Sequence, residues 1–317
     1  MPPSLLPPPP VVLTIAGFDP SSGAGITADI KTIAAHDCYG LACITALTVQ
    51  STKGVSQVSP VEPSLVAATL DDLASDFAIQ AVHIGMLGTE AVVRTVADFL
   101  EKSPLPHVVL DPILRSTSGA DLLDSAGVRL MIDRLIPLAE VVTPNLDEAI
   151  ALGALSMAAA ASASSAEAAA HPEEKRANGG LSLASAVAAM RDAARQLHAL
   201  GAANVVVTGG DLEKAVDLLS FTTQRGIEQE TFKADRQKST STHGTGCAFA
   251  TALACHLAHG RGLPEAVLLA KAYISAAITH AQPLGHGYGP MHHLYRMTQQ
   301  RRASQSVTEP ETVHSRS

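Results

Sequence analysis

Tryptophan is absent, and phenylalanine, tyrosine and tryptophan together make up 3% of the 317 residues. Any core must therefore be aliphatic, which suits parallel strands written as runs of Val, Ile and Leu. Charge is scarce as well: Asp, Glu, Lys and Arg amount to 16%, against 46% hydrophobic residues. That balance excludes an extended disordered chain. Lys and Arg number 22 against 30 Asp and Glu, for a net charge of −8. No continuous basic face is available for a nucleic-acid backbone, so that partner class is excluded. No apolar stretch approaches the roughly 20 uninterrupted residues of a membrane span, and no membrane association is expected. The opening MPPSLLPPPP lacks the basic and apolar parts of a signal peptide. The four cysteines, Cys38, Cys43, Cys247 and Cys255, show neither a CxxC pair nor zinc spacing. Free thiols in a reducing, cytoplasmic compartment are expected.

What the chain does have is alternation. Short apolar runs at Val11–Ala16, Leu41–Leu47, Ile79–Ile84, Val108–Leu110, Glu140–Val142 and Asn204–Thr208 read as strands. A short strand is also expected near Val58–Val61. Helical spacing falls between them, near Ala24–His36, Pro63–Phe77, Glu90–Leu100 and Leu122–Leu135. The pattern predicts an α/β fold with a mainly parallel central sheet and helices on both faces, a three-layer arrangement. Ala215–Thr222 and Gly226–Lys233 read as an antiparallel pair, and two closing helices are expected near Gly246–Ala258 and Pro264–His280. A single domain over 11–295 is expected, preceded by a Pro-rich disordered tail at 1–10 and followed by a polar tail at 296–317. Residues 154–181 form an Ala/Ser tract with no large apolar residue after Met157, and are expected to be a surface insertion.

Two loops hold residue types suited to chemistry. GFDPSSGAGITAD, Gly17 to Asp29, follows a strand and opens a helix. It matches G-x-G-x-x-A only formally: the turn comes late, and the next strand lacks a terminal acid. No Gly-Lys-Ser/Thr follows, which excludes a P-loop. The loop reads either as an ordinary strand-to-helix connection or as a close approach to a small ligand, with Asp19 and Asp29 facing its polar substituents. STHGTGCAFATA, Ser241 to Ala252, places Gly244, Thr245 and Gly246 before an apolar helical run. Free amides and the positive end of the helix dipole make a seat there for an anion such as a phosphoryl group. In the first turn the dipole is expected to lower the Cys247 thiol pKa, making it a base toward a hydroxyl. The other reading of Cys247 is a small buried hydrophobe.

Polar residues also recur where strands end: Gln50, Met86 in HIGMLG, Asp111 in LDPIL, Asn145 and Glu148 in TPNLDEA, and Thr208. Ligands of open α/β sheets bind outside those carboxyl ends. Asp111 and Glu148 suit Mg²⁺ as oxygen ligands, direct or through water. In GHGYGPMHHLY, His286, His292 and His293 lack a third ligand at useful spacing, and a structural turn is expected.

AGFDPSSGAGITADIKT, ITALTVQSTKGV, IGMLG, VVLDP, TPNLDEA, THGTGC and GHGYGPMHH resemble, in that order, the hydroxymethylpyrimidine/phosphomethylpyrimidine kinases of thiamine biosynthesis. The resemblance spans about residues 11–295 and implies the ribokinase-like fold. It implies ATP and Mg²⁺ as cofactors, and two successive phosphoryl transfers, to a hydroxymethyl oxygen and then to the resulting monophosphate. It places Gln50 on the aminopyrimidine ring, with Gly17, Asp19, Ala24, Met86 and Ile113 lining its pocket. Gly244, Thr245, Gly246 and Cys247 would form the anion hole, with Cys247 the base. Asp111, Asn145, Glu148 and Thr208 would face ATP and its metal. The chain departs from the bacterial members at Thr208-Gly209-Gly210, where they read Lys-Gly-Gly. A pyridoxal or pyridoxine kinase fits many of the same motifs, and a non-catalytic sensor on the same fold is the alternative of another class. A homodimer is expected, with strands near residues 50–60 pairing across it.

Overall fold

The computed structural model describes residues 7–116, 119, 121–162, 182–210, 215–235, 239 and 241–298. The strands are β1 (Val11–Phe18), β2 (Tyr39–Ser51), β3 (Gly54–Pro60), β4 (Ala81–Ile84), β5 (Val108–Leu110), β6 (Val141–Val142), β7 (Asn204–Val207), β8 (Ala215–Thr223) and β9 (Gly226–Ala234). Among the described residues these form one sheet in the order β3-β2-β1-β4-β5-β6-β7-β8-β9. The pairs from β2 through β7 are parallel, while β3 and the β8–β9 hairpin add antiparallel edges. The sheet is thus mainly parallel, as the alternating pattern predicts.

The strands are apolar on both faces because helices cover both. Leu13, Ile15, Val82, Ile84, Val108, Leu110, Val142, Val205 and Val207 point into one layer of core. Their neighbours Val12, Ala81, Val109, Val141 and Val206 point into the other. Period-two alternation sends successive side chains to opposite faces, and neither set reaches solvent. The first layer is closed by α2 (Pro63–Asp76), α3 (Glu90–Lys102), α4 (Ser125–Leu130), the short α5 (Ile136–Leu138), α6 (Leu146–Ser162) and α7 (Leu183–Ala199). The second is closed by α8 (Thr245–Ala258), α9 (Leu263–Thr279) and α1 (Gly25–Ala35). This is the expected three-layer α/β/α arrangement.

Several elements differ from the sequence reading. β2 runs six residues past a Leu41–Leu47 core at its two ends combined, and β3 begins at Gly54 rather than Val58. Both extensions lie at the sheet edge, where exposed Ser, Gln and Val remove the apolar signature. The helix expected at Leu122–Leu135 starts and ends three residues later: α4 begins at Ser125, passes through a π-helical turn at Met131–Leu135 and ends in α5 at Leu138. α7 has no counterpart in the sequence reading. Its buried stripe is Ala186, Met190, Ala193, Ala194 and Leu197, where small alanines do the work usually signalled by Leu and Ile. α6 enters the Ala/Ser tract and continues through Ser162; residues 163–181 lie outside the described residues, as do 1–6 and 299–317 of the two tails.

Candidate active site

Parallel strands deliver their carboxyl ends to one edge. Gly17 is the penultimate residue of β1, Met86 follows β4, Asp111 and Ile113 follow β5, Asn145 follows β6 and Thr208 follows β7. Backbone bonds keep these turns in step: Gly85 donates to Ile15, Asp111 to Ile84, Thr143 to Leu110 and Thr208 to Pro144. Met86 leans over Gly17, where an added Cβ would meet its Sδ at 2.9 Å. α8 packs against β1, β4 and β5 with its N-terminus at this edge.

On the ring side the hub is Asp19, 3% exposed. Its Oδ1 accepts from the Ser21 amide at 2.8 Å and hydroxyl at 2.7 Å, and its Oδ2 from the amides of Gly23 (3.2 Å) and Ala24 (2.9 Å). Asp19 therefore shapes the loop; its oxygens are already engaged and do not stand free for ring substituents, contrary to the sequence expectation. Burial pushes its carboxyl up, but the bonds from His243, Ser21 and Ala24 outweigh this and hold it below its ordinary value. His243 Nε2 lies 3.1 Å from Asp19 Oδ2 and 3.1 Å from the Gln50 side-chain amide. A carboxylate cannot donate, so Nε2 carries a proton toward Asp19. With that proton directed at Asp19, the Gln50 amide nitrogen lies beside Nε2 without a bond to it, and the Gln50 side chain is held by the Thr48 hydroxyl, which donates to its Oε1 at 3.2 Å.

The loop returns at Gly25, whose φ of +57° opens α1, and a Cβ there would meet the Gly17 carbonyl oxygen at 2.2 Å. Ala24, its cap, stands against Gly244: a Cβ on Gly244 would come within 2.0 Å of the Gly23 carbonyl oxygen, and its φ is +75°. Only glycine fits both conditions. Gly244 caps α8: the Thr245 amide donates to the Thr242 carbonyl at 3.4 Å, and those of Gly246 and Cys247 precede the first bond within the helix, from Ala248 to Gly244.

Cys247 differs from the sequence expectation. Desolvation, then the carboxylates of Asp111 and Asp29, push its thiol well above the ordinary range, with only the Gly25 amide opposing. The helix dipole favours the thiolate, but two negative charges nearby outweigh a partial positive one. The thiol is protonated and donates to Asp111. Asp111, 5% exposed, is raised to about 6 by burial, against the opposing pull of His83 and the Cys247 thiol. Glu148 is raised to about 8 by burial and by the Asp111 carboxylate. Its Oε2 accepts the Asn145 amide at 3.0 Å while Asn145 Oδ1 accepts the Glu148 amide at 2.9 Å, a reciprocal cap on α6. Two buried carboxyls, one of them raised by the charge of the other, suit a shared divalent cation. Among the described residues no group of three or more His, Cys, Asp or Glu gathers for a metal. An ion held by one or two carboxylates, with phosphate and water oxygens completing its shell, matches Mg²⁺.

Residues 19–178 and 172–292 match the family model described as phosphomethylpyrimidine kinase. The chain belongs to the phosphomethylpyrimidine kinase family. It is 41% identical over 285 residues to the thiamine biosynthesis bifunctional protein ThiED of Geobacter sulfurreducens, covering 89% of this chain and 52% of that one, so it spans about half that relative. It is 36% identical over 287 residues to the hydroxymethylpyrimidine/phosphomethylpyrimidine kinase of Haemophilus influenzae, covering 89% of this chain and 96% of that one. A pyridoxal kinase of Bacillus subtilis, solved as an ADP complex, superposes with a TM-score of 0.74 at 31% identity, over 91% of this chain and 99% of that one.

In this phosphomethylpyrimidine kinase family member the Thr208 hydroxyl reaches, among the described residues, only the Pro144 carbonyl, at 3.5 Å. A cation does stand behind the next turn. Lys271 Nζ lies 2.6 Å from Asp217 Oδ2, and Asp217 Oδ1 accepts the Gly209 amide at 3.0 Å. The C-terminal GHGYG segment closes the ring side, with the His286 and Gly287 amides donating to Thr52 Oγ1 and the His243 amide to the Gly289 carbonyl. His293 is buried against Thr32, while His292 meets Thr298. The sequence reading missed His243, although it lies inside the quoted THGTGC. It also missed His83, Thr14 and Thr251. The available signal for His83 and Thr14 was a polar residue inside an otherwise wholly apolar strand.

Proposed function

We propose that the protein transfers the γ-phosphoryl group of ATP to the hydroxymethyl oxygen of 4-amino-5-hydroxymethyl-2-methylpyrimidine, and then transfers a second to the monophosphate formed. The single observation that carries this is the anion hole: Gly244–Cys247 amides at a helix N-terminus, flanked by the Cys247–Asp111 pair. Family membership and the curated relative from Haemophilus influenzae supply the substrate class. Preorganised donors aimed at developing charge are the main lever in phosphoryl transfer. Mg²⁺, held by Asp111 and Glu148, would supply charge neutralisation on the nucleotide phosphates.

In the first transfer the substrate hydroxyl must lose a proton as its oxygen bonds to phosphorus. Cys247 Sγ receives that proton while its own thiol proton passes to Asp111, so Asp111 is the terminal acceptor and ADP the leaving group. In the second transfer the acceptor is already an oxyanion, and the anion hole alone carries the load. Because Asp111 must be ionised beforehand, kcat/KM for the pyrimidine alcohol should fall below about pH 6, its raised value in the free enzyme. A profile flat down to about pH 5 removes Asp111 from this role.

Gln50 is proposed to hydrogen-bond the ring through its amide nitrogen, its Oε1 being held by the Thr48 hydroxyl. Gln50→Ala should raise KM for the ring substrate about tenfold, as expected for one or two lost bonds, with kcat little changed. An unchanged KM takes Gln50 out of the pocket. The structural neighbour from Bacillus subtilis supports a second reading, phosphorylation of pyridoxal. Turnover of the pyrimidine alcohol, its monophosphate and pyridoxal, compared side by side by ADP release, decides between them; a large preference for pyridoxal reverses the substrate assignment. Among the described residues no helix is long and apolar enough to cross a membrane, and Cys38, Cys43, Cys247 and Cys255 are free; a cytoplasmic site of action is proposed. Leu47 and Val49 on β2 are 51% and 57% exposed, and a second copy of the chain is their proposed cover.

A further inference from the structure

Beneath the anion hole lies a polar cluster with no exposure at all: Thr14, Asp29, His83 and Thr251 are each 0% exposed. They come from four elements, β1, α1, β4 and α8. Thr14 Oγ1 donates to Asp29 Oδ2 at 2.7 Å, and Thr251 Oγ1 to Asp29 Oδ1 at 2.9 Å. His83 Nδ1 lies 3.2 Å from both hydroxyl oxygens and 3.4 Å from Asp29 Oδ2. Since the hydroxyl protons go to the carboxylate, Nδ1 must be the donor that links the two hydroxyls. Nε2 is buried without a partner among the described residues. Thr251 Oγ1 is also 2.8 Å from the Cys247 carbonyl oxygen, so its one hydroxyl proton is shared between that carbonyl and Asp29 Oδ1. Burying a carboxylate this deeply is costly, and aliphatic packing of the same volume would serve stability as well.

We propose that Asp29, His83 and Thr251 are positioning residues, a clamp that holds the first turn of α8 in register with the ring-side loop, while Thr14 adds only a stabilising bond to Asp29. The clamp rests on the kinase reading above. Asp29 lies one turn into α1, whose first amide, on Gly25, meets Cys247 Sγ. The same carboxylate reaches α8 one turn beyond Cys247. One buried acid therefore fixes both the loop that seats the acceptor and the turn that seats the phosphoryl group. A displacement of about 1 Å between them is enough to cost up to about 10²-fold in rate.

The two threonines separate positioning from mere stability. Each hydroxyl reaches Asp29, but only Thr251 shares its proton with the anion-hole turn, at the Cys247 carbonyl. Thr14→Val and Thr251→Val should lower the melting temperature similarly. Thr251→Val alone should lower kcat, by about tenfold, with KM for ATP and for the acceptor little changed. Both phosphorylations should slow by the same factor, and Thr251→Ser should restore the rate. Equal kcat losses in the two valine variants, or no rescue by serine, overturn the clamp. Amide hydrogen exchange supplies a readout free of substrate: residues 245–248 should exchange faster in Thr251→Val but not in Thr14→Val, and equal exchange also overturns it. If the wild-type protein phosphorylates pyridoxal and not the pyrimidine, the function reading fails while the same comparison, run on pyridoxal, still tests the clamp.

Discussion

Replacing Cys247 by Ala should lower kcat for the first phosphorylation by about 10²–10⁴-fold, the range expected for a lost proton-transfer group, and the second by less than about tenfold. The asymmetry follows from the acceptor. A hydroxymethyl oxygen arrives with a proton that must leave, whereas the phosphate oxygen of the monophosphate arrives charged. The raised thiol pKa excludes a standing thiolate, so the role is that of a relay toward Asp111. Cys247→Ser should accordingly recover part of the first rate, because a hydroxyl can donate to Asp111 and accept from substrate in the same place. Steady-state rates on the alcohol and the monophosphate, measured for wild type, Ala and Ser, test this. Equal losses on both substrates would show that the side chain only packs the turn. No loss on either would remove it from the chemistry.

The architecture was legible because both sheet faces are buried. Runs such as VVLTIAGF and VVL signal a doubly covered parallel strand whatever covers it. The ligand edge followed from that, because Asp111 and Thr208 sit one step, and Asn145 three steps, beyond such a run. What remained hidden is of two kinds. α7 buries mostly alanine, and alanine is equally at home in a surface tract, so hydrophobic periodicity is silent. Electrostatic partners were the second kind. The dipole argument for Cys247 used only its own helix, while the decisive charges stand on β5's following turn and on α1, 136 and 218 residues away in sequence. Asp19 shows the same limit from the other side: a loop aspartate looks available for ligand until its loop folds back on both oxygens.

Asp111→Asn should abolish most activity and yet stabilise the free protein at alkaline pH. The amide keeps the shape but neither receives the relay proton nor carries the charge that Mg²⁺ neutralises, so a loss of about 10³-fold or more is expected on the alcohol. The stability effect has the opposite sign. The folded-state values of about 6 for Asp111 and about 8 for Glu148 lie above the ordinary values of 3.8 and 4.5. The folded protein therefore holds these protons more tightly than the unfolded chain. Their contribution to stability is full below about pH 4 and is lost as pH rises through about 6 and then about 8. The wild-type melting temperature without nucleotide or metal should accordingly fall between about pH 5 and about pH 9, a slope that Asp111→Asn should flatten. Glu148→Gln should flatten it as well without undoing the α6 cap, because glutamine can fill the same capping position. Each kcal/mol relieved should appear as roughly 2–4 °C in melting temperature. Mg²⁺ with a non-hydrolysable ATP analogue should raise the wild-type melting temperature far more than that of either variant. If Asp111→Asn instead destabilised the protein across the whole pH range, the carboxylate would be a structural anchor, and the paired-acid account of this site would be lost.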